Sequence, residues 1–382
     1  MAADASAFFI PEGGPYALTH SVGCLPKAAR AALENGFLRP WVEQGADAWP
    51  AWLKRIDEFR AELAALFGGS SAEYCPQVNL SSALTKVISA LPDPGSRLPI
   101  EGSAEPNARV ILLTEDAFPS IGYVLQQQVR RGYEVRFIPR ERSPAALETW
   151  SQALSPDVRI ALVTHVHSNT GEVSPVREIA RLCAERGILC IVDVAQSAGI
   201  FPFSFPDLGA PIVIGSCVKW LCGGPGAGFM WVHPSLIGKL DPTDVGWFSH
   251  ARPFEMDIHS FEYAPDARRF WGGTPSIAPY VVAAASLKVI REIGVNAIFE
   301  HNRRLMQIFR DHLPQTWRQR LPSGEMGGTL CIPTGGDFER ITRSLTAAGV
   351  RFDSRKDVVR LSFHVCNTPD DAIAIARASA GD

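Results

Sequence analysis

Between residues 109 and 232 the chain alternates short aliphatic runs with stretches of helical periodicity. Segments 109–114, 134–138, 159–164, 188–192, 212–214 and 227–232 are rich in Val, Ile, Leu and Phe and, apart from Glu134 and Arg136 in the second, carry almost no polar alternation, which is the pattern of strands covered on both faces. Helices are expected between them at 119–131, near 145–153 and at 175–186, the last opened by Ser174 as cap with Pro175 in its first turn. Strands of this kind separated by helices predict an α/β fold around a mostly parallel sheet with helices on both sides. Beyond it, 275–312 reads as two long helices broken near Gly294. A smaller α/β unit follows, with strands near 327–332, 349–353 and 357–363 and helices near 336–348 and 370–379. Pro, Gly and Ser throughout 92–107 mark a surface loop.

Composition narrows the function classes. The 382 residues are 46% hydrophobic with a formal net charge of −3, and no basic block interleaved with aromatics suggests a nucleic-acid partner. No apolar run approaches the roughly 20 residues of a membrane helix, and the first ten residues lack the basic start and long apolar centre of a signal peptide. The eight cysteines show no CxxC and no metal-ligand spacing, and several lie inside apolar runs. A reducing, cytoplasmic setting without a structural metal is the expectation.

In open α/β sheets ligands bind beyond the carboxyl ends of the strands, so the polar residues there are the candidates for chemistry. Asp193-Val-Ala-Gln196 follows the strand at 188–192, and Gly215-Ser216-Cys217-Val218-Lys219-Trp220 follows the one at 212–214. The glycine-rich run Gly223-Gly-Pro-Gly-Ala-Gly228 comes next. A carboxylate and an amine at neighbouring strand ends suit pyridoxal 5′-phosphate (PLP): the first keeps the pyridine nitrogen protonated, the second holds the aldehyde as a Schiff base and shuttles protons. Alone, Asp193 would read as a helix cap and Lys219 as a surface charge.

With these residues, and with Arg360-Leu-Ser-Phe-His-Val-Cys-Asn-Thr368, the sequence resembles the class V group of fold-type-I PLP enzymes over nearly its whole length, from about Tyr16 to Thr368. Asp116-Ala-Phe118-Pro-Ser120, the run 223–228, and Trp49-x-x-Trp52 leading into 59–68 look most like kynureninases. The resemblance implies a seven-stranded, mostly parallel sheet in a large PLP-binding domain at 16–260. It implies an N-terminal arm at 1–15, and linking helices with a small C-terminal α/β domain at 261–382. Catalysis would fall to Lys219 and Asp193. Phe118 would stack on the pyridine; its alternative is a core phenylalanine. Gln196 would bond the phenolic oxygen, and Asn169 that oxygen or the substrate carboxylate, unless it is only a turn residue before Gly171. Ser81, Ser82 and Ser216 would hold the phosphate, although Ser81-Ser82 also suits an ordinary helix cap. Thr274, in Gly273-Thr-Pro275, would reach the phosphate of a neighbouring subunit and so implies a homodimer; otherwise it merely starts a helix. Arg360 would grip the substrate α-carboxylate, the alternative being an ion pair with Asp353 or Asp357. His20 and His167 are weaker candidates for substrate contacts.

Two departures stand out. Position 218 is Val where kynureninases carry Tyr and desulfurases His, and the segment 351–359 lacks the cysteine that desulfurases place before the carboxylate-binding arginine. Cleavage at Cβ or lyase chemistry on an amino acid is the reading favoured by the kynureninase-like motifs. Transamination follows closely, then epimerisation of the isopenicillin-N-epimerase type, then a PLP-fold binding protein without catalysis.

Overall fold

The computed structural model describes residues 5–103, 105–321 and 324–380. Seven strands form the main sheet: β1 (Tyr74–Gln77), β2 (Val110–Thr114), β3 (Glu134–Ile138), β4 (Val158–Thr164), β5 (Leu189–Asp193), β6 (Ile212–Ser216) and β7 (Gly228–Val232). Their order across the sheet is β1-β7-β6-β5-β4-β2-β3. Strands β2 to β6 run parallel, and β7 lies antiparallel to both β6 and β1, so only one strand of seven is reversed. The strand at Tyr74–Gln77 was not expected from the sequence. It pairs with β7 alone, at a sheet edge where Pro76 removes no ladder bond that the sheet interior needs.

Alternate side chains of the parallel strands enter two separate cores. Val163, Cys190, Val192 and Val213 belong to one. Ile160, Leu162, Leu189, Ile191, Ile212 and Ile214 belong to the other. This period of two explains why the strands read as continuous apolar runs. It also carries Thr164, Asp193 and Ser216, the last residues of β4, β5 and β6, onto the second face at the carboxyl edge. Two helices cover that face: α2 (Leu80–Ser89) through Ala83, Leu84, Val87 and Ile88, and α3 (Pro119–Gln126) through Ile121 and Leu125. The opposite face is covered by α1 (Trp49–Phe67), α4 (Val176–Glu185) and α5 (Ala278–Ile293).

The helix α4 is capped by Pro175 rather than Ser174, with no side-chain cap bond. The Ser174 hydroxyl instead lies 3.2 Å from His167 Nε2, both groups buried. Gly294 separates α5 from α6 (Val295–Asp311) as expected, with φ 90.

A second, antiparallel sheet has the order β8-β10-β9, where β8 is Thr329–Pro333, β9 Asp353–Arg355 and β10 Val358–Ser362. Helices α6, α7 (Phe338–Ala347) and α8 (Pro369–Ala380) pack on one side of it around Leu330, Ile332, Val359 and Leu361. The same period of two sends Cys331, Asp353, Arg355, Arg360 and Ser362 to the other side, facing the main sheet. The strand expected near 349–353 begins later because Arg351 exchanges backbone bonds with the N-terminal segment instead: its N–H donates to Pro15 and its carbonyl accepts from Ala17, each at 2.9 Å. No helix of the described residues is long and apolar enough to cross a membrane.

Candidate active site

At the carboxyl edge of the main sheet lies a cavity of about 210 Å³. Strand ends supply Thr164, Asp193 and Ser216 to its lining. The starts of α2 and α3 supply Asn79, Leu80, Ser81, Phe118 and Ser120, and the loops add Ser168, Gln196 and Lys219. Of the residues singled out in the sequence, Lys219, Asp193, Phe118, Gln196, Ser81 and Ser216 therefore meet around one space. Ser82, Asn169, Thr274, Arg360 and His20 do not line it.

Lys219 follows β6 on a turn held by Cys217 N–H to the Ala227 carbonyl (2.9 Å) and Gly223 N–H to the Cys217 carbonyl (2.7 Å). The N-terminal segment crosses behind it at Gly23, where a Cβ would come within 2.2 Å of the Lys219 carbonyl oxygen, so no side chain is tolerated. Lys219 Nζ makes no hydrogen bond or ion pair among the described residues and sits 5.7 Å from the centre of the Phe118 ring. Burial lowers its pKa to about 8, against the opposing pull of Asp193 and helped by the charges of Arg360 and Arg355.

Asp193 is 4% exposed. Its Oδ1 accepts the Ala195 N–H at 2.8 Å, and no cation pairs with it among the described residues. Burial pushes its carboxyl up, partly offset by the Ala195 N–H and Lys219. A buried carboxylate without a cation is costly unless something positive completes it. Thr164 adds a buried hydroxyl with no partner. An orphaned carboxylate, an orphaned hydroxyl and a free amine around one cavity fit a cationic heteroaromatic ring with an aldehyde. Phe118, 39% exposed although apolar, turns its face to that space instead of joining a core. Gln196 is anchored at both ends, donating to the His20 carbonyl (3.1 Å) and accepting from Trp220 Nε1 (3.1 Å), with one amide hydrogen to spare.

The cap of α2 is Asn79, whose Oδ1 accepts from the Ser82 N–H (2.9 Å) and the Ser81 hydroxyl (2.8 Å). Neither serine is the cap. An Asn directly before Leu-Ser-Ser is a strong cap signal in the sequence. With the start of α3 beside it, two helix N-termini open on the cavity, an arrangement suited to an anion.

Arg360, 3% exposed, has its fork closed by Asp353: Nε donates to Oδ1 at 2.7 Å and Nη2 to Oδ2, while Nη1 donates to the Ser168 carbonyl at 2.9 Å. The ion pair that the sequence left open as an alternative is thus the arrangement present. His20 is buried beneath it, Nε2 3.0 Å from Asp353 Oδ1 and Nδ1 2.8 Å from the Ser362 hydroxyl. A carboxylate only accepts, so Nε2 carries the proton. His20 reaches the site through Asp353. Asn169 accepts from Arg355 Nη1 at 2.8 Å. Thr274 is exposed, its hydroxyl accepting from Trp247 Nε1 at 3.2 Å. Arg355 lies outside the candidate residues that the sequence marks.

Residues 102–375 match the class-V aminotransferase family. The chain belongs to that family. Kynureninase of Deinococcus radiodurans is 31% identical over 93% of this chain and 86% of its own length. Kynureninase of Pseudomonas fluorescens is 29% identical over 81% and 72%. An uncharacterized aminotransferase of Bacillus subtilis, YcbU, is 28% identical over 85% and 82%. Among solved structures, a C-DES mutant with glycine covalently linked to its PLP cofactor superposes with a TM-score of 0.85, covering 98% of this chain and 99% of that one at 21% identity. The cystine C-S lyase C-DES with its product cysteine persulfide gives 0.82 over 95% and 97% at 22% identity. The α/β fold is that of fold-type-I PLP enzymes, and as a class-V member the chain is a PLP-dependent enzyme.

Proposed function

We propose that the protein cleaves a bond at Cβ of an α-amino acid, in the manner of kynureninases and C–S lyases, with Lys219 as the covalent attachment point of PLP. The observation that carries this reading is the convergence of Lys219 and Asp193, both cut off from other ionic partners, on one cavity. PLP bound there supplies an electron sink for the substrate's α-carbon. Asp193 would keep the ring nitrogen protonated, Phe118 would cover one face, and Gln196 would donate its spare hydrogen to the phenolic oxygen. Ser81, Ser120 and Ser216, with the two helix starts, would hold the phosphate. Lys219, freed by the substrate amine, would take the α-proton, a task suited to an amine whose pKa burial has brought to about 8. The same reading assigns Thr274, exposed and outside its own cavity, to the phosphate of the second subunit in a homodimer.

Sulfur-acceptor chemistry of the desulfurase kind is disfavoured. All eight cysteines are buried, and burial pushes Cys331, which lies nearest the arginines, up to about 12. Cys331 therefore supplies no thiolate nucleophile beside these arginines. Transamination is the second reading, supported by the similarity to YcbU.

A panel of amino acids presented to the purified protein, with assays for alanine, keto acid, ammonia and sulfide, tests the choice. Cβ cleavage predicts release of alanine or of a β-substituent. Stoichiometric keto acid with conversion of the cofactor to its amine form would overturn it in favour of transamination. Replacing Asp193 with Asn keeps the acceptor for Ala195 N–H and removes the charge. The expected result is cofactor retained and kcat lowered on the order of a hundredfold to a thousandfold; an unchanged kcat would remove Asp193 from the mechanism.

A further inference from the structure

Segment 15–24 is stitched to both sheets by hydrogen bonds. Toward the small sheet, Arg351 N–H donates to Pro15, Ala17 N–H to Arg351 and Ser362 N–H to Ala17, each at 2.9 Å. Asn367 Nδ2 donates to the Tyr16 carbonyl at 3.0 Å. Toward the main sheet, the His20 carbonyl accepts from Gln196, and Gly23 N–H donates to the Val218 carbonyl at 2.8 Å. The segment ends at Cys24, whose Sγ lies 3.8 Å from Sγ of Cys366, in the turn between β10 and α8. These residues are 342 positions apart, so only the folded chain brings the two sulfurs into contact.

The pair differs from the other thiols in access and in acidity. Cys24 and Cys366 are 4% and 6% exposed, whereas the remaining six cysteines are at 2% or less. The hydrogen bond with Cys366 holds the Cys24 thiol below its ordinary pKa, against the effect of burial, and so favours its nucleophilic form. Cys183 and Cys190 also pair, between α4 and β5, but both are sealed in the core. Cys222 is the thiol across Gly23, and burial pushes it well above its ordinary pKa.

We propose that Cys24 and Cys366 are a reversible redox pair, closed by a peroxide into a disulfide that fastens segment 15–24 to the turn before α8. The Cys24 sulfur attacks one peroxide oxygen; the O–O bond breaks, and the other oxygen leaves as water with the thiol proton. The Cys366 sulfur then attacks the sulfenic acid so formed. The S–S bond forms, the S–O bond breaks, and the hydroxyl leaves as a second water with the Cys366 proton. The thiols are oxidised by two electrons and the peroxide is reduced to water; a dithiol reverses the change. Closing the bond brings the sulfurs nearer by about 1.7 Å. It ties off a loop of nearly the whole chain, which restricts the unfolded state, and it secures His20 and Gly23 against Gln196 and Val218.

The test treats the PLP-loaded protein with hydrogen peroxide, alkylates free thiols, and maps the unfolded, digested chain by mass spectrometry. A linked Cys24–Cys366 peptide is expected, with the intact mass lower by two hydrogens, the other six cysteines alkylated, and full reversal by dithiothreitol. The oxidised protein should melt roughly 5 °C above the reduced one. Cys366→Ser should abolish both changes, and Cys222→Ser should keep them. Mapping the wild type needs neither variant to fold. Alkylation of both Cys24 and Cys366 after peroxide, a Cys24–Cys222 link, oxidation of Cys24 onward to a sulfinic acid, or a bridge that leaves the midpoint unchanged would overturn the proposal. None of these readouts uses the reaction at Lys219, so the pair stands or falls separately from it.

Discussion

Lys219→Ala is expected to lower kcat on the order of a thousandfold to a millionfold and to abolish the visible absorption of an imine-bound cofactor. The size of the effect follows from the surroundings. No second lysine lines the cavity, so no other amine can take over the attachment or the proton transfer. The groups that would hold the cofactor without a covalent bond all remain in the variant, which should still take up PLP reversibly and absorb as the free aldehyde. Absorption spectra before and after dialysis, with single-turnover kinetics on the substrate the panel identifies, provide the check. A visible band that survives the substitution would place the covalent link elsewhere and sink the assignment.

The same lysine predicts a pH dependence. Only the neutral amine attacks an aldehyde, and a pKa of about 8 in place of 10.5 leaves that form accessible near neutrality. The rate of cofactor capture by the cofactor-free protein should rise with pH and level off above about 8. A rate still climbing tenfold per unit at pH 9 would show that burial does not depress this amine.

How far the residues themselves announced this arrangement depends on the range of the interactions involved. β2, β4 and β5 were legible because each is a local apolar run buried on both faces, and Lys219 and Asp193 because strand ends point at ligands. Tyr74–Gln77 escaped notice: four residues with a proline carry little pattern, and only pairing with β7 makes them a strand. The charged run 351–359 spans the ends of two expected strands and the turn between them, and its sequence alone does not mark a site. Its meaning arises from register, with Asp353 opposite Arg360 across the ladder, and from His20, which reaches it from the far N-terminal part of the chain. Arg355 differs from a surface arginine only in what lies around it after folding, namely Ser168, Asn169 and the Phe118 face. No local pattern encodes that.

Asp353→Ala should be the most destabilising single change near the site. It leaves the Arg360 guanidinium, 3% exposed, without its carboxylate, and strips the Nε2 proton of buried His20 of its acceptor. Removing one partner of a buried pair costs about 3–5 kcal/mol, because the remaining charge is neither solvated nor paired. Thermal unfolding should report a midpoint lower by roughly 4–6 °C. Burial alone would raise the Asp353 pKa, but the hydrogen bonds from His20 and Arg360, with their charges, hold it well below the usual carboxylate range. A carboxyl depressed in the folded state stabilises above its unfolded pKa of about 4 and loses that contribution as pH falls toward the folded value. Wild-type stability should therefore drop through this acid window, while Asp353→Asn, with nothing to protonate there, should lose less across it. Equal midpoints for wild type and Asp353→Ala, within about 1 °C, would mean that water or another carboxylate takes over the fork of Arg360. Arg360 would then be open to substrate.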